Sequence, residues 1–193
     1  MKTKLLLTVI LLSSVFSFAQ SQTSQHLAIK AVPIDGTLET FISKMKLNGF
    51  TEMEPDNRMA RLQGDFASYK GCIVSVTTLQ GKDLVGKVTV NFPKQDAWSS
   101  LASNYFNLKE MLTEKYGQPS ETIETFTSVE PKDDGLKMIQ VHLDRCKYVT
   151  TYVTDKGSIQ LSIKGNAFSA FVILTYSDKI NNSIIRANAK DDL

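Results

Sequence analysis

The chain has 193 residues, with 22 Lys or Arg against 20 Asp or Glu, and 42% of the residues are hydrophobic. This near balance of charge excludes a basic nucleic-acid binder and a polybasic membrane-surface protein. The hydrophobic fraction excludes a disordered chain, and a chain of this size buries roughly 70% of its unfolded surface, enough for a core that needs no metal.

The first nineteen residues have the composition of a secretory signal peptide. A basic start without acids is followed by an apolar stretch at 5–18, and small residues stand at Ser17 and Ala19, the positions that a signal peptidase reads. The stretch is shorter than the ~20 residues of a membrane-spanning helix, and the polar run 20–25 follows it. We expect cleavage near Ala19, a periplasmic or secreted protein, and no transmembrane segment in the mature chain.

The first half of the mature chain predicts one helix followed by strands. Residues 20–33 are mostly polar and are expected to be a flexible segment. Thr37 can cap a helix that ends before Gly49, a residue that accepts the left-handed conformation of helix ends. The apolar stripe of that helix is Leu38, Phe41, Ile42 and Met45. The strand candidates are 50–54, 59–69, 72–79 and 84–92, with a hairpin turn at 80–83.

The second half repeats this order. A helix is predicted over 97–116, with Asp96 as its cap, a possible break at Asn104 and Asn107, and Gly117 as its end. Strands are predicted at 121–126, 137–154, 158–164 and 168–176, with turns at 131–135, 155–157 and 165–166. A last helix is predicted over 179–190.

The repeated order indicates an internal duplication within one compact domain. Segment 70–76 (KGCIVSV) matches 156–162 (KGSIQLS), and the second copy has extra residues before its hairpin. We assign a first repeat to 34–106 and a second, with the C-terminal helix, to 107–193. Chance alignment of two helix-and-strand meanders is the alternative. The predicted fold class is α+β, with a mainly antiparallel sheet and helices on one face.

This order of elements, with the helix endings KLNGF at 46–50 and EKYGQP at 114–119, resembles a known fold. Residues 37–193 are similar to a tandem of the helix-plus-four-strand units of β-lactamase-inhibitor-protein-like proteins, and the chain as a whole is similar to exported bacterial proteins of uncharacterised function. The resemblance implies a protein that binds other proteins and is not an enzyme. The inhibitor proteins have a disulfide in each repeat, whereas this chain has two cysteines in all, so no functional residue is carried over.

Those two cysteines, Cys72 and Cys146, leave two alternatives open. In an oxidising compartment they could form one disulfide, which would stabilise the fold by about 4 kcal/mol through the long loop that it closes. They could equally be two free, buried thiols that lie too far apart to bond.

His142, Asp144 and Cys146 form the most catalytic-looking cluster in the sequence. On the predicted strand 137–154, alternate residues are ~6.6 Å apart, which places His142 ~13 Å from Cys146. A base and its nucleophile need about 3 Å, so the triad fails unless a bulge bends the strand. We predict no catalytic residue, and a hydrolase or thiol-dependent enzyme using His142 and Cys146 is the alternative. No zinc, calcium-loop or phosphate-loop spacing is found, so neither metal nor cofactor is predicted.

Aromatic residues on two predicted strands suggest a binding surface. Tyr148 and Tyr152 alternate with Val149 and Val153, and Phe171 alternates with aliphatic neighbours. If the aliphatic set faces the helices, the aromatic rings lie on the open face, where they would be interface anchors. Coverage by a dimer contact, a long loop or the curvature of the sheet is the alternative. We therefore expect a non-catalytic exported module that binds a protein or cell-envelope component and no nucleic acid; an enzyme-inhibitor-like protein is a second alternative.

Overall fold

The structure, a computed structural model, describes residues 24–54, 59–79, 82–127 and 130–191. The predicted signal peptide and its cleavage site lie outside these residues, and so does part of the predicted turn 80–83. The first half of the fold contains β1 (Ala28–Ile29), β2 (Val32–Pro33), α1 (Leu38–Leu47), β3 (Thr51–Glu52), β4 (Met59–Phe66), β5 (Tyr69–Thr78) and β6 (Val85–Asn91). The second half contains α2 (Trp98–Tyr116), β7 (Glu121–Phe126), α3 (Asp134–His142), β8 (Cys146–Thr154), β9 (Gly157–Asn166), β10 (Ser169–Asp178) and α4 (Lys179–Asp191). Of these helices, none combines the length and the hydropathy that crossing a bilayer requires.

Eight strands form one antiparallel sheet in the order β3-β4-β5-β6-β10-β9-β8-β7. The last strand of each half, β6 or β10, lies at the centre, and the earlier strands of each half follow outwards to the edges. The predicted α+β fold is therefore confirmed. The predicted boundary between 106 and 107 falls inside α2. This helix is continuous over 19 residues, so the possible break at Asn104 and Asn107 is absent. A division before α2 would give each half its own leading helix.

The helices cover one face of the sheet, and alternate strand residues point into the core beneath them. On the central strands this buried set includes Val74, Val76, Val88, Val90, Val172 and Leu174. Thr37 caps α1 as predicted, since its Oγ1 accepts the amide of Thr40 at 3.3 Å. Asp96 does not cap α2; the amide of Ser99 instead donates to the Asp134 carboxylate of α3 at 3.0 Å.

The helix α3 replaces the first part of the predicted strand 137–154. Asp133 begins it, because its Oδ1 accepts the amide of Leu136 at 2.8 Å. Met138 and Val141, three residues apart, are buried on its inner side. The prediction of a strand here was wrong because Ile139, Val141 and Leu143 satisfy a strand pattern, while the helix is selected by its cap and by contact with the sheet. The segment lies between β7 and β8, where the second half carries its extra residues.

Residues 24–33 form a hairpin, which contradicts the expected flexible segment for this part of 20–33. Ile29 and Val32, on β1 and β2, are buried in the core. The hairpin is attached to the end of β10, where the carboxylate of Asp178 accepts the amide of Leu27 at 2.8 Å. Sequence analysis missed this attachment because the carboxylate lies 151 residues away in sequence.

Candidate binding face

The face of the eight-stranded sheet opposite the helices, called here the open face, is crossed by a row of side chains in register. One residue from each strand pairs with the next, from one edge of the sheet to the other. The row consists of Thr51, Gln63, Ile73, Asn91, Ile173, Ser162, Val149 and Ile123. Its four aliphatic members are neither fully buried nor fully exposed. The alternate residues of these strands are the ones buried beneath the helices, so the four aliphatic side chains point to the other face, where part of their apolar surface meets solvent.

The neighbouring row on the same face is rich in small hydroxyl side chains. It runs through Arg61, Ser75, Thr89, Thr175, Gln160, Thr151 and Glu121. Hydroxyl groups both donate and accept hydrogen bonds. The open face therefore offers an apolar row beside a polar one on a single rigid sheet.

A groove of about 560 Å³ lies on this face near the start of β10. Phe171 and Ile73 contribute its apolar surface, while Arg61, Asn91 and Lys94 contribute its polar side chains. Phe171 thus lies on the open face, where it is half-buried. The groove combines an apolar floor with charged and amide groups, a composition suited to anchoring a side chain of a partner.

Positive charge predominates on the open face. The strands place four cations there, Arg61, Lys87, Lys147 and Lys164. Two carboxylates oppose them, Glu121 on the edge strand β7 and Asp65 at the end of β4, whose Oδ1 accepts the amide of Gly71 at 3.2 Å. The other carboxylates of the edge strands point to the helix side, where Glu52 pairs with Lys46 and Glu124 with Lys109, each at 2.6 Å. Among the described residues, no ion pair involves any of the four cations.

Tyr148 and Tyr152 are not on the open face, so the expected exposure of these two rings was wrong. Tyr148 is 8% exposed and lies edge-on to Trp98, with ring centroids 5.1 Å apart. The hydroxyl of Tyr152, which is 1% exposed, donates to the carbonyl of Lys109 in α2 at 2.9 Å. Val153 is 67% exposed instead.

The two tyrosines face the helices because their large side chains fill the space between the sheet and α2. Aromatic rings bury the most surface per residue, and a phenol hydroxyl can reach a backbone carbonyl of the covering helix. Burial raises the pKa of Tyr148, and the neighbouring Glu130 carboxylate adds to this. In the sequence, the aromatic residues Trp98 and Tyr105 of α2 are the feature that could have predicted aromatic packing beneath this helix.

The two cysteines are free, so the disulfide alternative is wrong. Cys72 lies on β5 and Cys146 on β8, and three strands separate them in the sheet. Four inter-strand steps amount to roughly 19 Å, far beyond the ~7 Å limit between Cα atoms of a disulfide. Burial raises the pKa of Cys72 to about 11. The pKa of Cys146 is raised to about 12, first by burial and then by the negative charge of Asp144.

His142, Asp144 and Cys146 lie at a helix end, a turn and a strand start rather than on one strand. His142 is the last residue of α3, and its Nδ1 is 2.6 Å from the carbonyl oxygen of Asn166, to which it donates. Asp144 has a left-handed backbone (φ 54°) in the turn before β8. A cavity of about 330 Å³ is lined by Asp144 and Cys146 but not by His142. A reactive thiol requires a lowered pKa, and the shift of Cys146 has the opposite sign.

In the described parts of the chain, no three His, Cys, Asp or Glu residues are grouped so that they could hold a metal ion. Comparison of the chain with known protein families, with curated proteins and with solved structures gave no match. The resemblance to β-lactamase-inhibitor-protein-like repeats therefore stays a prediction based on the order of elements.

Proposed function

We propose that this protein is an exported, non-catalytic binding module, and that its open sheet face holds a protein or a cell-envelope component. The observation that carries the proposal is the row across the open face, in which four strands contribute half-buried aliphatic side chains on the side of the sheet that the helices leave uncovered. A partner that covers this surface would stabilise the complex, since apolar area removed from water contributes about 25 cal/mol per Å². An uncovered apolar row with polar flanks has the anatomy of a protein interface.

The size of the open face agrees with this proposal. Seven steps between eight strands span roughly 34 Å, and the rows of side chains along the strands occupy roughly 20 Å. The resulting area of roughly 700 Å² is close to the ~800 Å² that each partner contributes to a standard interface. A sheet pinned by ladder hydrogen bonds changes shape little on binding, so less entropy is lost than with a loop surface.

The surroundings of the two thiols do not favour the enzymatic alternative. Both have raised pKa values, and the Nδ1 of His142 is already engaged with a backbone carbonyl. An enzyme inhibitor of the kind that the resemblance suggests would be one case of the proposed binding function.

The proposal is tested by photo-crosslinking from two matched positions in cells that make the native partner. A photoreactive amino acid at Phe171 is expected to give one discrete adduct, which Ile73→Arg abolishes without changing the thermal unfolding of the protein. The matched control is the same amino acid at Phe106, which is partly exposed on the helix side. Adducts from position 106 that persist in the Ile73→Arg variant, with none from position 171, would refute the proposal. Sequencing the N-terminus of the secreted protein tests cleavage near Ala19.

A further inference from the structure

We infer that the open face selects an acidic partner: a protein segment that carries carboxylates around an apolar side chain. This inference rests on the proposed function, because it names the chemistry of the partner for the same face. It comes from the distribution of charge, which the overall composition of the chain conceals. Four strand cations and two strand carboxylates lie on the open face, although the whole chain has 22 basic and 20 acidic residues.

Three cations lie at the groove or beside it. Arg61 and Lys94 line the groove itself. Lys164 is the direct cross-strand neighbour of Phe171, on the other side of the groove. Arg61 on β4 and Lys164 on β9 lie four inter-strand steps apart, which is roughly 19 Å measured across the sheet. An apolar side chain seated against Phe171 and Ile73 would therefore have a cation on each side.

The range of the electrostatic attraction sets what the partner must offer. The Debye length is about 8 Å at physiological salt, so each carboxylate has to approach its cation closely to be attracted. Acidic residues on both sides of one apolar side chain meet this condition. Complementary charges of this kind raise the rate of association and exclude wrong partners more than they increase the affinity.

The apolar row favours a protein segment over other polyanions. Single-stranded nucleic acids are held by several aromatic side chains on which bases stack, whereas Phe171 is the one aromatic ring that the described strands place on this face. A sulfated polysaccharide offers charge but no apolar side chain for Ile73, Ile173 and their neighbours. Binding to an acidic protein segment uses both the charges and the apolar row.

The probe is a fluorescent glutamate-rich peptide with spaced leucines, followed by anisotropy against the full-length mature protein. We expect saturable binding that weakens as salt rises. The variant Arg61→Glu/Lys164→Glu should bind about tenfold more weakly, because each exposed ion pair contributes about 0.2–1 kcal/mol and reversal replaces attraction by repulsion. Both side chains are exposed, so the fold should persist in this variant. The variant Arg61→Gln/Lys164→Gln, which only removes the two charges, should bind the peptide about threefold more weakly than the parent.

Three controls distinguish binding at the open face from attraction by overall charge. Lys132→Glu/Lys190→Glu changes the net charge equally at exposed positions before α3 and on α4, and it should leave peptide binding unchanged. A peptide with glutamine in place of glutamate should bind weakly. Ile173→Arg should weaken peptide binding, although it adds a positive charge.

Several outcomes would overturn the inference. These are no binding of the acidic peptide at low salt, equal losses in the Lys132/Lys190 control, and binding of dextran sulfate that competes with the peptide and is insensitive to Ile173→Arg. The last result would indicate attraction of any polyanion. A native partner crosslinked at Phe171 whose affinity is unchanged by Arg61→Glu/Lys164→Glu would refute the acidic partner and leave the proposed function intact.

Discussion

Asp178 joins three parts of the fold, and replacing it with alanine is expected to be among the most damaging single changes. The residue ends β10 and is fully buried. Its carboxylate accepts the amide of Leu27 at 2.8 Å, the amide of Asn181 in the first turn of α4 at 2.9 Å, and Nδ1 of His26 at 3.1 Å. The Asp178→Ala variant therefore loses a helix cap and the attachment of the N-terminal hairpin together.

The expected loss can be worked out from these hydrogen bonds. Losing the cap of α4 costs about 1 kcal/mol. Leaving the buried amide of Leu27 without an acceptor costs about 1–3 kcal/mol, and the bond to the partly exposed His26 contributes about 0.5–1 kcal/mol. The free energy of unfolding should fall by about 3–5 kcal/mol, a large part of the 5–15 kcal/mol typical of a domain. In a protein of this size Tm should decrease by about 10 °C.

Urea and thermal unfolding, followed by circular dichroism, measure this loss. The matched control is Asp96→Ala, because Asp96 is exposed and, within the described residues, makes no capping hydrogen bond. That variant should stay within about 0.5 kcal/mol of the parent. A loss below about 1 kcal/mol for Asp178→Ala, or equal losses in the two variants, would show that the carboxylate does not hold these elements together.

Four further experiments test the buried side of the sheet. Tyr152→Phe removes the hydroxyl that bonds α2 and should cost about 1 kcal/mol in urea unfolding, whereas an unchanged stability would mean that this hydrogen bond does not stabilise the fold. Buried Cys72 and partly buried Cys146 both have raised pKa values, so at neutral pH they should react with thiol reagents far more slowly in the folded protein than after denaturation; equal rates in the two states would contradict this. Since the pKa of Cys146 is raised from 9.0 to about 12, the unfolded state releases this proton first, so stability should fall as pH rises from about 9 to about 12. Gly165→Ala would place a Cβ 2.7 Å from Cγ1 of Val141 in α3 and should cost about 1–3 kcal/mol; no loss would argue against this close packing.

Much of the fold could be predicted from local pattern. The helix α1 follows from the Thr37 cap and a stripe repeated every three or four residues, and β7 occupies the predicted residues 121–126. The C-terminal helix was also predicted, at 179–190 against the observed Lys179–Asp191. These elements are set by neighbours in sequence, because a cap and a periodic stripe act within a few residues.

The segment 134–145 shows where local pattern is insufficient. Its apolar residues fit a strand at alternate positions and a helix at Met138 and Val141. The helix prevails because Val141 packs against Gly165 on β9, where a larger residue would not fit. Contacts between segments far apart in sequence thus decided the secondary structure around His142, and they removed the geometry on which the catalytic alternative depended.

By itself, the sequence determined the α+β class, the order of most elements and the alternation of side chains along each strand. The tertiary structure alone decided which alternating set faces the helices, so that Tyr148 is buried while Val149 lies on the open face. It also decided which residues share a row, and hence that Lys164 lies beside Phe171 and that Arg61 and Lys94 line the same groove. The physical reason is that a two-residue period is a property of one strand and is identical for both faces. The choice of face and the register between strands depend instead on packing and pairing with residues distant in the chain.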